Sequence, residues 1–242
     1  MGIGRSNASS IAKTDGGVGL LDVRKFAGAL LALTLISATG VASPLVGQET
    51  GVIEGTLLLR LGPQRRWATR YPGAGPTSAK VHPVPAVVYL LGDFPEEDPV
   101  TAVRDIVQRD GVFMPGALAV RAGTVVRFPN EDPYVHNVFS YADPRFDLGR
   151  YPQGESREVV FDAAGIVRVY CEIHEYMRVV VLVTEHSFHD VVSEDGTFRI
   201  AGVPPGEYTL TAYHPDLGSL EERVVVPAGG TARVLLELGG PQ

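Results

Sequence analysis

The chain has 242 residues, enough for one large domain or two small ones, and its 45% hydrophobic and 20% charged residues are typical of a folded protein. It carries 21 lysine and arginine residues against 28 aspartate and glutamate residues, a net charge of −7, so nucleic acid is not an expected partner. The single cysteine, Cys171, excludes an internal disulfide.

The N-terminus has the pattern of an export signal. Arg24 and Lys25 precede the apolar run FAGALLALTLISATGVA, which is shorter than the ~20 residues that a membrane-spanning helix needs. The run ends in a small-x-small cleavage pattern before Ser43, so residues 1–42 are predicted to be a signal peptide. The alternative is an uncleaved N-terminal membrane anchor. Both alternatives predict an exported protein, in the periplasm or another extracytoplasmic space.

From residue 43 onward the sequence predicts an all-β protein. Short alternating or β-branched runs, bounded by Gly, Pro, Asp and Asn, are typical of a sandwich or barrel. Residues 43–107 hold the first strands and a Pro/Gly-rich loop, and Asp98–Arg109 is a candidate for a short helix. The predicted strands are Val52–Leu59, Ala86–Leu91, Ala117–Arg121, Thr124–Phe128, His136–Tyr141, Glu158–Phe161, Ile166–Cys171, Arg178–Thr184, Thr197–Ile200, Tyr208–Tyr213, Glu222–Val226 and Thr231–Leu238.

Residues 108–185 contain the cysteine within the stretch VRVYCEIHEYMRVVVLV. Side chains alternate along the strand IVRVYC, so Cys171 is predicted to point inward with the valines, at the end of the strand. A short loop then carries His174 and Met177 before the next buried strand begins. A second histidine, His136, begins an upstream strand, HNVFS, and completes the pattern His…Cys-x2-His-x2-Met.

This set of side chains favours copper. Two imidazoles and a thiolate with a weak axial thioether are the ligands of a blue-copper site. Zinc also accepts Cys and His but makes no use of a methionine, a c-type haem requires C-x-x-C-H, and a binuclear copper centre would need a second cysteine. A cysteine protease needs a general base and an oxyanion hole in addition to its cysteine. The Cys/His pair alone does not exclude such an enzyme. A site that has lost its metal, or that binds another ion, is the remaining alternative.

The block resembles a cupredoxin domain of the plastocyanin and amicyanin kind, through RAGTVVRFPN, HNVFS and FDAAGIVRVYCEIHEYM. The resemblance implies that His136, Cys171 and His174 are strong ligands and that Met177 is the axial one. It also implies that Asn137 ties the strand of the first histidine to the ligand loop. Glu175 stands where the short amicyanin-like loop usually has proline. The larger layout resembles exported proteins labelled methylamine-utilisation or plastocyanin-like.

Residues 186–242 contain the stretch SEDGTFRIAGVPPGEYTLTAYHP, in which two alternating strands flank turn sequences. The stretch resembles the carboxypeptidase regulatory-like, or transthyretin-like, β-sandwich module. Such modules begin with a strand pair that resembles VIEGTLLL and PAVVYLLGD, which here lie upstream of the cysteine block. Two alternatives follow: the copper-type block is inserted into this sandwich, or the early strands extend the copper-type block.

The predicted function is electron transfer between proteins by one copper ion, without catalysed turnover of a substrate. In the cupredoxin family electrons pass through the exposed edge of the loop histidine, here His174, to a redox protein such as a c-type cytochrome. Ile173 and Tyr176 are expected at the docking rim. The alternatives are copper carriage or storage, and a protein whose C-terminal module binds carbohydrate or the cell envelope. His186 and His189 form H-x2-H, which we interpret as a solvent-facing linker rather than a second metal site.

Overall fold

The computed structural model describes residues 49–60, 84–142 and 144–239. This part of the chain is all-β, as predicted, and contains no helix long and apolar enough to cross a membrane. The predicted signal peptide lies outside the described residues. The strands are β1 (Gly51–Arg60), β2 (Val87–Leu91), β3 (Val103–Asp105), β4 (Val107–Arg109), β5 (Val112–Met114), β6 (Ala117–Arg121), β7 (Thr124–Pro129), β8 (His136–Ser140), β9 (Phe146–Tyr151), β10 (Ser156–Phe161), β11 (Gly165–Tyr170), β12 (Arg178–Thr184), β13 (His189–Val191), β14 (Thr197–Val203), β15 (Gly206–His214), β16 (Gly218–Val226) and β17 (Thr231–Gly239).

Strands β3 to β12 form the first sandwich. One sheet has the order β6-β12-β11-β8-β9, the other has the order β10-β7-β3, and β4 and β5 form a separate hairpin. Alternation along β11 sends Val167 and Val169 into the core, where Phe128 and Phe161 arrive from the opposite sheet. Cys171 follows on the same inward face and is buried, as the alternation predicts.

Strand β12 is buried on both faces. Val179 and Val181 point into the first sandwich, whereas Val180 and Leu182 pack on the outer side, in a cluster that includes Tyr213. A strand covered on both faces has no polar side to alternate with, which explains the continuous apolar run VVVLV after Arg178. The outer side of the five-stranded sheet is therefore an interface with the rest of the chain.

The second sandwich combines the beginning and the end of the described chain. Its sheets have the orders β14-β1-β17 and β13-β2-β15-β16. Strand β1 pairs antiparallel with β14 and parallel with β17, and β2 pairs antiparallel with β15. Ile53, Leu90 and Leu210 meet in its apolar core. The chain therefore leaves this sandwich after β2 and returns at β13, which is the strand pairing of the inserted arrangement.

The predicted helix over Asp98–Arg109 is wrong. Val103 pairs with Val125 in a parallel bridge, and β4 pairs with β5 through the turn Asp110-Gly111. Both turn residues have positive φ, 55° and 72°, as a two-residue hairpin turn requires. Sheet pairing therefore decides the conformation of a segment whose local preference is weak. Five strands escape the sequence prediction: β3, β4, β5, β9 and β13.

Candidate metal centre

The ligand loop connects β11 to β12 and is closed by its own backbone. The N–H of Cys171 donates to the carbonyl of Met177 at 3.2 Å, and the N–H of Met177 donates to the carbonyl of His174 at 2.9 Å. The strands on either side are in register, with Tyr170 opposite Arg178. The loop is therefore a tight, hydrogen-bonded turn at one pole of the first sandwich.

Three of the four predicted ligands converge at this pole. The potential donor atoms of His136, Cys171 and His174 all lie within 4.8 Å of one another. The Cys171 Sγ lies 3.8 Å from Nδ1 of each histidine. His136 is fully buried, Cys171 is buried, and His174 is partly exposed. One thiol and two imidazoles thus meet at one point, and of these three side chains His174 is the most exposed.

Met177, the predicted axial ligand, is fully buried and belongs to the same core cluster as Cys171. Alternation along the start of β12 sends its side chain inward with Val179. The two backbone hydrogen bonds of the loop tie its main chain to the other loop ligands. The donor set at this pole, with a thioether available beside a thiolate and two imidazoles, fits copper by its chemistry.

Asp132 supports His136, and the sequence prediction missed it. The Asp132 Oδ2 lies 2.7 Å from Nε2 of His136, and both residues are buried. The carboxylate also accepts the N–H groups of Asp110 at 2.6 Å and Gly111 at 3.0 Å, from the β4–β5 turn. A proton on Nε2 leaves the lone pair of Nδ1 facing the sulfur. The signal in the sequence was an acidic residue four positions before the histidine, in NEDPYVH.

Hydrogen bonding sets the protonation of Asp132 and His136. Burial raises the pKa of Asp132, but hydrogen bonds from Gly111, His136 and Asp110 outweigh it, so that the pKa is lowered. Burial lowers the pKa of His136, but its contacts with Cys171 and Asp132 raise it overall. The carboxylate is therefore ionised and holds the ring by a charge-assisted hydrogen bond.

The surroundings of Cys171 lower the pKa of its thiol. Burial raises its pKa, but contacts with His136, the backbone N–H of Asn137 and His174 lower it to about 6. The thiolate is the form that binds a metal. The side chain of Asn137 accepts the N–H of Glu172 at 3.4 Å, which confirms the prediction that Asn137 ties the first-histidine strand to the ligand loop.

The exposed side of the centre is aromatic and apolar. The ring of His174 lies 5.6 Å from that of Tyr134 and 5.7 Å from that of Tyr176, measured between centroids. Tyr134, Val135, Ile173 and Tyr176 are all exposed large hydrophobic side chains. Glu175 is exposed beside them. The partly open edge of His174 therefore lies within a rim of apolar side chains.

The other histidines of interest do not join this centre. Nδ1 of His189 lies 2.7 Å from the hydroxyl of Thr184, and Nδ1 of His186 accepts the N–H of Phe188 at 3.1 Å. Neither histidine belongs to the metal-type cluster found in the described part of the chain. Both histidines of the H-x2-H motif therefore make local hydrogen bonds, in the segment that connects the two sandwiches.

Comparisons with known proteins give partial matches. A family model described as polysaccharide lyase family 4, domain II, matches residues 183–234. That model differs from the carboxypeptidase regulatory-like module, which stays a prediction. No sequence match was found among curated proteins.

Several solved structures are similar to part of the chain. A purple cupredoxin from Nitrosopumilus maritimus is 28% identical, over 31% of this chain and 84% of that chain, with a TM-score of 0.29. A reduced amicyanin mutant is 18% identical, over 40% and 98%, with a TM-score of 0.33. The Cu-containing nitrite reductase from Thermus scotoductus SA-01 is 22% identical, over 40% of this chain but only 25% of that enzyme, with a TM-score of 0.33.

Proposed function

We propose that the chain is an exported copper protein that transfers electrons between protein partners through one ion of the blue-copper type. The observation that carries the proposal is the convergence of His136 Nδ1, Cys171 Sγ and His174 Nδ1 at the loop that ends in the buried Met177. A single copper held there supplies one-electron oxidation and reduction. The proposal includes no catalysed turnover of a substrate.

The protein's contribution is a rigid set of ligands. Asp132 holds His136 through Nε2, and the β4–β5 turn holds Asp132 through two backbone N–H groups. The ligand loop is closed by backbone bonds between Cys171, His174 and Met177. Residues that support the ligands in this way fix ring orientation and strengthen metal binding. A centre that does not rearrange with the charge of the metal suits rapid electron exchange.

The exposed edge of His174 is the proposed route for electrons. It is the one converging ligand with partial exposure, and apolar side chains, among them Tyr134, Ile173 and Tyr176, surround it. An apolar rim of this kind favours a partner with a complementary apolar patch around its own cofactor, such as a c-type cytochrome. The export signal of residues 1–42 would place this exchange outside the cytoplasm.

Copper loading of the purified chain tests the proposal. We expect one equivalent of copper, an intense visible band from thiolate-to-copper(II) charge transfer, and an electron paramagnetic resonance spectrum with small copper hyperfine splitting. His186→Gln is the matched control, because this histidine lies outside the centre, and its spectra should equal those of the unaltered chain. A loaded protein without the intense band would overturn the blue-copper assignment.

A second measurement separates electron transfer from copper carriage. The reduced, loaded protein is mixed with an oxidised c-type cytochrome, and cytochrome reduction is followed by stopped flow. Electron transfer predicts a rapid reaction that slows when Ile173→Asp interrupts the apolar rim. A carrier would instead release its copper to a competing ligand without reducing the cytochrome at a useful rate.

A further inference from the structure

Met177, the predicted axial ligand, is followed in the chain by Arg178, whose side chain forms an ion pair with the second sandwich. The guanidinium of Arg178 binds the carboxylate of Asp216 through two hydrogen bonds, of 2.7 Å and 2.5 Å. Asp216 lies in the turn between β15 and β16. Because side chains alternate along β12, Met177 points into the first sandwich and Arg178 points away from it. The predicted axial ligand and the residue that contacts the second sandwich are therefore adjacent in the chain.

Asp216 is itself held in place by hydrogen bonds within its turn. The N–H of Asp216 donates to Nδ1 of His214 at 3.1 Å, and the N–H of Leu217 donates to the carbonyl of His214 at 3.2 Å. His214 is buried, so the turn is anchored in the second sandwich. Two hydrogen bonds between planar groups also fix direction, which a single contact does not. Asp216 therefore presents its carboxylate at a defined position.

The two sandwiches are held together along the strands that carry the loop. The Nε of Arg168, on β11, donates to the hydroxyl of Tyr213 at 2.7 Å. Val180 and Leu182, on β12, pack in the apolar cluster to which Tyr213 also belongs. The Arg178–Asp216 pair continues this interface to the point where β12 meets the ligand loop. The second sandwich is therefore a support that reaches the metal pole.

We propose that the β15–β16 turn is a positioning element for the metal centre, in which Asp216 holds Arg178 and Arg178 fixes the backbone at Met177. This inference rests on the proposed copper function. The axial bond of a blue-copper site is long and weak, so that the protein, more than the metal, decides where the thioether lies, and the axial ligand tunes the reduction potential. Asp216 and Arg178 are positioning residues, and neither is a metal ligand.

The test compares Asp216→Ala with Asp105→Ala in the copper-loaded full chain. Asp105 makes a similar bidentate pair with Arg127, at 2.7 Å and 3.0 Å, but neither residue adjoins a ligand. Both pairs are partly exposed, so each contributes little to global stability. We expect Asp216→Ala to keep one copper and the intense band, while its paramagnetic resonance parameters and reduction potential shift. Asp105→Ala should leave both unchanged.

A metal-free measurement keeps the test independent of the proposed function. Hydrogen exchange of the copper-free chain should show a several-fold faster exchange of the Cys171 and Met177 amides in Asp216→Ala than in Asp105→Ala. Asp216→Asn, which keeps the shape of the side chain, serves if the alanine variant does not fold. Unchanged exchange in Asp216→Ala overturns the positioning role, whether or not copper binds. Failure of the unaltered chain to bind copper, with faster exchange in the variant, overturns only the copper function.

Discussion

The two sandwiches differ in what they bury. Among the described residues, the second sandwich buries two polar side chains, Thr211 and His214, and its core cluster is entirely apolar. The strands and loops of the first sandwich bury eight: Gln108, Thr124, Asn130, Asp132, His136, Asn137, Ser140 and Thr184. Burying a polar group costs free energy unless it finds partners, so that such a concentration needs a reason.

Three of these groups form a hydrogen-bonded network that ends at a predicted ligand. The N–H of Asp132 donates to the side-chain oxygen of Asn130 at 2.9 Å, and Asp132 in turn bonds His136 at 2.7 Å. The network lies between the end of β7 and the start of β8, at the pole that carries Cys171. The second sandwich thus keeps its own core apolar, whereas the first accepts buried polar groups at the pole where they orient a site.

The largest expected effect comes from removing the sulfur. Cys171→Ser replaces the thiolate by a hydroxyl of similar size, so the fold should survive while the thiolate-to-copper band disappears completely. Absorption and paramagnetic resonance of the copper-loaded variant measure this, and circular dichroism checks the fold. An intense band that persisted in the serine variant would show that the metal binds elsewhere.

A cavity in the second sandwich should affect stability without changing the copper spectrum. Leu210 is fully buried in its core, so Leu210→Ala should lower the free energy of unfolding by about 2–5 kcal/mol. Leu235, which is 71% exposed, provides the matched control, and Leu235→Ala should change it by no more than about 0.5 kcal/mol. Urea denaturation measures both. If Leu210→Ala changed the copper spectrum as much as Asp216→Ala is expected to, the effect of Asp216 could not be assigned to its contact with Arg178.

The buried carboxylate of the first sandwich should control metal affinity. Asp132→Asn removes the charge that holds His136, and we expect copper to bind roughly 10–100-fold more weakly. Competition with a chelator of known affinity measures the change. Glu131→Gln is the control, because Glu131 is an exposed neighbour that pairs with Arg109. Equal affinities in the two variants would remove Asp132 from the centre.

The smallest effect belongs to an exposed turn of the second sandwich. Hydrogen bonds from the hydroxyls of Ser193 and Thr197 and from the N–H of Thr197 lower the pKa of Asp195 to about 2. Because its unfolded value is 3.8, this carboxylate stabilises the fold fully above that pH, and the contribution is lost as pH falls through 2. Asp195→Asn should therefore lower the urea midpoint slightly at neutral pH, and the gap should close towards pH 2. A gap independent of pH would contradict this role.

Strong alternation made much of the fold predictable from the sequence. Strands β6 and β12 were predicted with their observed bounds, and the inward face of β11 was predicted correctly because Val167, Val169 and Cys171 repeat every second residue. His136, Cys171 and His174 were all predicted as ligands, and the structure brings their potential donor atoms within 4.8 Å of one another. Alternation was sufficient for β11, whereas β12, which is buried on both faces, was predicted from its continuous apolar run.

The rest depended on partners that are distant in the sequence. Strands β3, β4, β5 and β13 have three residues each, too few to show a period, and β9 contains Asp147 and Gly149. The supporting role of Asp132 was not predicted, because its carboxylate is held by N–H groups of the β4–β5 turn that reach it only in the folded chain. The role of Asp216 likewise exists only once two sandwiches meet.

The pairing of β1 has a consequence for the order of folding. Its partners, β14 and β17, come near the C-terminal end of the described chain, whereas strands β3 to β12 are contiguous. A chain is synthesised from its N-terminus, and contacts between distant segments form slowly. We therefore expect the inserted sandwich to fold first, before β1 pairs with β14 and β17 and before β2 pairs with β13 and β15. The predicted metal ligands would then come together before the β15–β16 turn forms its ion pair with Arg178.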